Sequence, residues 1–105
     1  MKNFILFSLL FIPLLINAQN KYTISGYISD GSSGERLTGA TVFNKTTGKG
    51  TVTNNYGFFS LTDVEGNSQL EFRFVGFKKK TTTLNLQKDT FLNFSLERGI
   101  EIGEV

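Results

Sequence analysis

From Lys21 onward, apolar and polar residues alternate with a period of two. Tyr22, Ile24, Gly26 and Ile28 interleave with Thr23, Ser25 and Tyr27. Leu70, Phe72 and Phe74 are separated by Glu71 and Arg73, Leu84 and Leu86 by Asn85, and Leu92, Phe94 and Leu96 by Asn93 and Ser95. Successive side chains of a strand point to opposite faces, so each run predicts a strand with one dry and one wet face. Clusters of turn residues divide the runs: Asp30–Gly34, Thr47–Gly50, Asn54–Gly57 and Glu65–Ser68. Gly76 interrupts the alternation between Phe74 and Phe77, as a bulge or bend does. The pattern predicts about seven strands, at roughly 21–29, 39–46, 49–53, 57–62, 69–76, 78–86 and 90–97.

So many short, one-sided strands pack economically as two small antiparallel sheets face to face. A five-stranded barrel is the alternative, and both are all-β. The alternation places Ile24, Val42, Phe59, Leu61, Phe72, Phe74, Leu92 and Phe94 in the core. Gly26, Gly39, Gly57 and Gly76 are the structural glycines; Gly57 and Gly76 are expected in conformations that penalise a Cβ.

The first residues follow another rule. Met1–Ala18 carries one cation, Lys2, before an apolar run from Phe4 to Ile16 that Pro13 interrupts. As a helix the run would span roughly 20 Å, short of a ~30 Å hydrocarbon core. A charged start, a short apolar middle and the small residue Ala18 before Gln19 read as a secretory signal peptide over 1–18, cut after Ala18. An uncleaved membrane anchor is the competing reading. The expected organisation is then a leader at 1–18, a sandwich at 19–97 and an acidic tail at 98–105, with no membrane span once the leader is removed.

Composition narrows the chemistry. The 105 residues include no Cys and no His, which removes thiol nucleophiles, disulfides, the usual general base and the commonest transition-metal ligand. The apolar fraction of 39% and a net charge of only +2 exclude a disordered chain. Export removes Lys2, so the excess of cations shrinks further and says little about partners.

The remaining candidate motifs fail on spacing. Thr47-Gly48-Lys49-Gly50-Thr51 has the outline of a phosphate-binding loop but lacks the upstream glycine and a hydroxyl directly after the lysine. Asp30, Asp63, Glu65 and Glu71 lack the spacing that would converge them on Ca²⁺, and read as solvated turn carboxylates. The nine acidic residues offer no catalytic pair by spacing. Phe72–Lys80 mixes rings with cations, but alternation sends Phe72 and Phe74 to one face and Arg73 to the other, against a nucleic-acid platform. Lys78-Lys79-Lys80 more simply guards a sheet edge. Asn44-Lys45-Thr46 and Asn93-Phe94-Ser95 satisfy the N-glycosylation pattern, with nothing else pointing to a host that would use it. The expectation is therefore no enzyme, no cofactor, no metal and no nucleic acid.

Three ordered blocks carry a resemblance: Ile24–Asp30 followed by Gly34–Val42, then Gly50–Phe59 with its G-T-x-T-N start, then Phe74-Val75-Gly76-Phe77. Together they resemble the carboxypeptidase-regulatory-like domain, a transthyretin-like β-sandwich, over about residues 21–97. Asn54, Tyr56 and Thr38 depart from the pattern, where Asp, Asp or Asn, and Pro are common. The resemblance implies a non-catalytic domain. In Gram-negative bacteria such domains commonly form the periplasmic N-terminal extension of SusC/RagA-like TonB-dependent outer-membrane receptors. The tail, with Ile100, Ile102, Glu104 and Val105, looks like the start of the junction to a TonB-box-like segment. The implied setting is the periplasm beside the outer membrane, with the rest of a receptor and a TonB-type energiser as partners. A free-standing adhesion module acting through a sheet edge is the alternative function.

Overall fold

The ten residues of β1, Lys21–Asp30, form the spine of the domain. In the computed structural model, which describes residues 20–99, seven further strands follow: β2 Thr41–Asn44, β3 Gly50–Val52, β4 Phe58–Glu65, β5 Asn67–Arg73, β6 Lys80–Asn85, β7 Thr90–Phe91 and β8 Phe94–Leu96. The expected leader at 1–18 and the tail residues Ile100, Ile102, Glu104 and Val105 lie outside the described residues.

Two four-stranded sheets result. One has the order β4-β1-β7, with β8 also on β1; the other runs β3-β2-β5-β6. The sheets are separate layers, so the sandwich and not the barrel is the architecture. β1, buried at every second residue from Ile24 to Asp30, turns Ile24 and Ile28 inward against Val42, Leu70 and Phe72 of the other sheet. Phe59, Leu61, Val64, Leu84 and Leu96 complete the interior.

Several expectations need correction. The last predicted strand, 90–97, is split, and its halves pair with β1 in parallel, not antiparallel: Ile24 opposite Thr90, then Ile28 opposite Phe94. Both halves keep one register and fail only at Leu92 and Asn93. There the Tyr27 N–H donates to the Asn93 side-chain carbonyl at 3.0 Å in place of a main-chain partner. Breaking the ladder also breaks the alternation, so Leu92, expected inside, is 38% exposed. Phe74, expected as part of the fifth strand, lies beyond its end; it and Phe94 are half-buried against the core.

The glycines act in two ways. Gly39, Gly57 and Gly76 have positive φ, and Gly76 closes a turn in which the Phe77 N–H donates to the Phe74 carbonyl at 3.0 Å. Gly26 has no such φ; it is needed because the Leu92 carbonyl passes where a Cβ would stand.

Candidate functional site

β1 and β8 run in the same direction and finish side by side, with Asp30 opposite Leu96. The described chain therefore enters at one pole, where Lys21 faces Glu65, and leaves at the other. The exit pole is the candidate site. Its parts come from the end of β1, the returning segment Glu35–Thr38, the Phe74–Phe77 turn and Arg98, and they enclose a groove of about 460 Å³.

The centre of this pole is an ion pair. Asp30 is buried, and its Oδ2 accepts from Arg98 through Nε at 2.7 Å and Nη2 at 2.6 Å. Its Oδ1 accepts from the Ser32 N–H and the Ser32 hydroxyl, both at 2.8 Å. A carboxylate taken from water needs this many donors to stay ionised. Bonding to Arg98, and then to Ser32, holds Asp30 well below the usual carboxylate range, and the same contact raises Arg98. Arg98 also bridges Phe77 antiparallel, and the Gly99 N–H donates to the Gly76 carbonyl at 3.0 Å. Arg98 and Gly99, assigned to the tail by sequence, are thus fastened to the sandwich. Asp30, read as a solvated turn carboxylate, is an interior anchor instead.

The fastening has a pH signature. Asp30 takes up protons more readily unfolded than folded, so stability rises with pH between its depressed folded pKa and its ordinary value near 3.8. Its contribution is complete above about pH 5 and is lost progressively below pH 4. Denaturant midpoints at pH 2.5–5 are expected to fall more steeply for the parent than for Asp30→Asn. Parallel curves for the two proteins would remove Asp30 from this role.

Two short polar devices hold the walls. The Thr53 hydroxyl donates to the Leu37 carbonyl at 2.5 Å and accepts from the Ala40 N–H at 2.9 Å, tying β3's end to the segment before β2. The Asn54 side-chain carbonyl accepts from the N–H groups of Tyr56 and Phe58, at 2.9 and 3.1 Å. An Asp there would accept the same bonds, so Asn54 departs from the motif without altering the turn. Glu71, also expected on a solvated turn, is buried in β5 beside Arg73 and Lys45.

Of the residues picked out by sequence, Ile24, Val42, Phe59, Leu61 and Phe72 meet in the interior, and Gly57 and Gly76 sit at turns near the exit pole. The Asp30–Arg98 pair was missed. Its only sequence signal was an acid at the end of a strand whose other inward residues are apolar. Among the described residues, no three His, Cys, Asp or Glu side chains gather where a metal could be held. No helix of the described residues is long and apolar enough to cross a membrane.

Comparison with known proteins decides the family, because the profile of the CarboxypepD_reg-like domain matches residues 24–105. The chain belongs to the CarboxypepD_reg-like domain family. None of the curated proteins matches it. Among solved structures, this CarboxypepD_reg-like domain is similar to a chain of an interface mutant of the type II cohesin–X-dockerin complex from Acetivibrio cellulolyticus. The TM-score is 0.64 and the identity 23%, covering 78% of this chain and 62% of that one. It is also similar to the shaft pilin SpaA from Lactobacillus rhamnosus GG, with TM-score 0.54 and 10% identity over 79% of this chain and 48% of the pilin. A third match is the TIE protein of Bacillus anthracis, with TM-score 0.53 and 16% identity over 74% of this chain and 16% of that one. At these identities the likeness is one of fold. The chain spans less than two thirds of the length of each of these neighbours.

Proposed function

We propose that this CarboxypepD_reg-like domain is a non-enzymatic accessory module, the periplasmic N-terminal domain of a TonB-dependent outer-membrane receptor. The observation that carries the reading is the through-going path of the chain. Entry at Lys21 and exit at Arg98 lie at opposite poles, separated by the ten residues of β1, roughly 33 Å. The exit is pinned by Asp30, so the domain hands its tail onward from a fixed point. Such a path suits a module set between an export leader and a downstream transport unit. The leader-like residues 1–18 and the acidic, apolar tail with Ile100, Ile102, Glu104 and Val105 support this setting. Partners that meet the tail by main-chain pairing would be proteins, namely the rest of the receptor and a TonB-type energiser. The cohesin–dockerin neighbour, a chain within a protein–protein complex, agrees with a fold that works by contact.

The test is the reading frame beyond Val105 together with cell fractionation. The expected result is a plug and a barrel in frame, with the product in the outer-membrane fraction. A stop codon directly after Val105, with the product free in the periplasm or the medium, would overturn the receptor reading.

A further inference from the structure

A sandwich of two open sheets has four edges, and three of them are short, broken or interrupted. The β3 edge is three residues long and meets β4 at a corner spanned by the Lys49–Asp63 ion pair, 3.3 Å. The β4 edge is broken by Asp63, which has φ 58°, and its register on β1 shifts between Tyr22 and Ile24. The β7–β8 edge is interrupted at Leu92 and Asn93, and two of its carbonyls are taken: Glu97 by the Lys78 N–H at 2.8 Å and Ser95 by the Lys80 ammonium at 3.3 Å.

The β6 edge differs. All six of its residues pair with β5 without a shift, from Phe72 opposite Lys80 to Asn67 opposite Asn85. Among the described residues, no strand covers its other side. Alternate residues of such an edge turn N–H and C=O groups outward, an unsatisfied row ready for another strand. Thr81, Thr83 and Asn85 are exposed and uncharged, a surface on which β-branched partners pack well.

Charge selects the partner. A cleft of about 380 Å³ lies between the head of β6 and β8, lined by Lys78, Lys79, Lys80, Thr81, Ser95 and Glu97, with Leu96 also contributing. Lys78 meets Glu97 at 3.7 Å, while Lys79 and Lys80 have no ion-pair partner among the described residues. β6 carries no acidic residue, and Lys88 follows its far end. At that end Asp89 offsets Lys88. A second copy of β6 offers these lysines no acidic residue of its own strand, whereas an acidic strand meets them with opposite charge.

We propose that the free edge of β6 and the Lys78–Lys80 cleft form one docking site for an extended acidic peptide segment of a partner protein. The segment adds as an antiparallel strand, its neutral β-branched residues beside Thr81–Asn85 and its C-terminal carboxylates in the lysine cleft. This goes beyond the receptor setting and does not depend on it.

The probe is a synthetic nine-residue peptide of alternating threonine and valine closed by three glutamates, titrated into the chain purified after export and followed by amide NMR. Shifts and new exchange protection are expected at 80–85 and in the cleft, with affinity falling as ionic strength rises from about 0.05 to about 0.5 M. The same peptide N-methylated at alternate residues keeps its charge but cannot pair, and is expected to bind at least about tenfold more weakly. Lys79→Glu, at an exposed position outside the strand, is expected to weaken the unmodified peptide about tenfold with the fold intact. Equal binding of the methylated peptide, shifts confined to other faces, or no binding at all would overturn the proposal. Displacement of the peptide by a single-stranded oligonucleotide of equal charge would also overturn it, by making the cleft a general polyanion site. A receptor reading frame beyond Val105 leaves each of these outcomes unchanged, so the two readings fail separately.

Discussion

Phe72→Ala is expected to lower the unfolding free energy by about 3–5 kcal/mol. Phe72 is fully buried in β5 and directly opposes Val42 of β2. Its ring stands 4.4 Å from that of Phe94 and 6.2 Å, edge-on, from that of Phe59. Phe94 comes from β8 and Phe59 from β4, both in the opposite sheet, so Phe72 joins the layers at their centre. Removing the ring forfeits its transfer from water and leaves a cavity that two sheets on a fixed spacing close poorly. A domain of this size has a total stability of roughly 5–10 kcal/mol, so the variant would sit near the edge of folding. Phe91→Ala is the control. Phe91 is 55% exposed and touches Tyr27 only edge-on, at 6.0 Å between centroids. Its loss is expected to stay below about 1 kcal/mol. Urea denaturation of both variants checks the pair, and comparable losses would mean that the assignment of inner and outer faces is wrong.

The legible part of the fold is the part written in near neighbours. Ile24, Gly26 and Ile28 declare their common face by spacing alone, and so do Leu70 and Phe72. The two-layer class follows from these faces. Asn54 and Gly57 likewise announce a turn through local bonding and positive φ. What was not legible depends on partners far along the chain. The segment 90–97 pairs with β1 in parallel, and alternation carries no sign of strand direction. Leu92 shows the consequence: its place in the pattern says core, yet the interruption of the ladder turns it toward water.

The candidate site was less legible still. Asp30 has the look of a turn residue, because Gly31, Ser32 and Ser33 follow it. Its burial depends on Arg98, a residue whose own neighbours read as the beginning of a linker. Neither half of the pair is informative alone. Asp30 and Arg98 are brought to the same pole by the parallel pairing of β8 on β1, which the sequence pattern did not disclose. The same path leaves β6 as a regular edge that no strand of the described residues covers, so the exit anchor and the docking edge both follow from where the last strand goes.

That closure can be attacked at one atom. Gly26→Ala is expected to cost at least about 3 kcal/mol, more than any other glycine-to-alanine change in the described sheets. A Cβ on Gly26 would stand 1.7 Å from the Leu92 carbonyl oxygen and 2.6 Å from its carbon. Both atoms are backbone and no rotamer relieves them, so β1 and the Leu92–Asn93 link must separate by more than an ångström. The bonds lost are the Leu92 N–H to the Ser25 carbonyl, 2.8 Å, and the Tyr27 N–H to Asn93, 3.0 Å. Gly76→Ala supplies the contrast: Gly76 has φ 86° but nothing within 4 Å of an added Cβ. It carries only the left-handed backbone penalty, about 1–2 kcal/mol. Hydrogen exchange locates the damage. In Gly26→Ala, protection is expected to fall first at 90–96 and at Tyr27, while the β2–β5–β6 ladder keeps its protection until global unfolding. Equal costs for the two alanines, with protection at 90–96 unchanged, would mean that β7 and β8 do not lie on β1, and the exit anchor at Asp30 would fall with them.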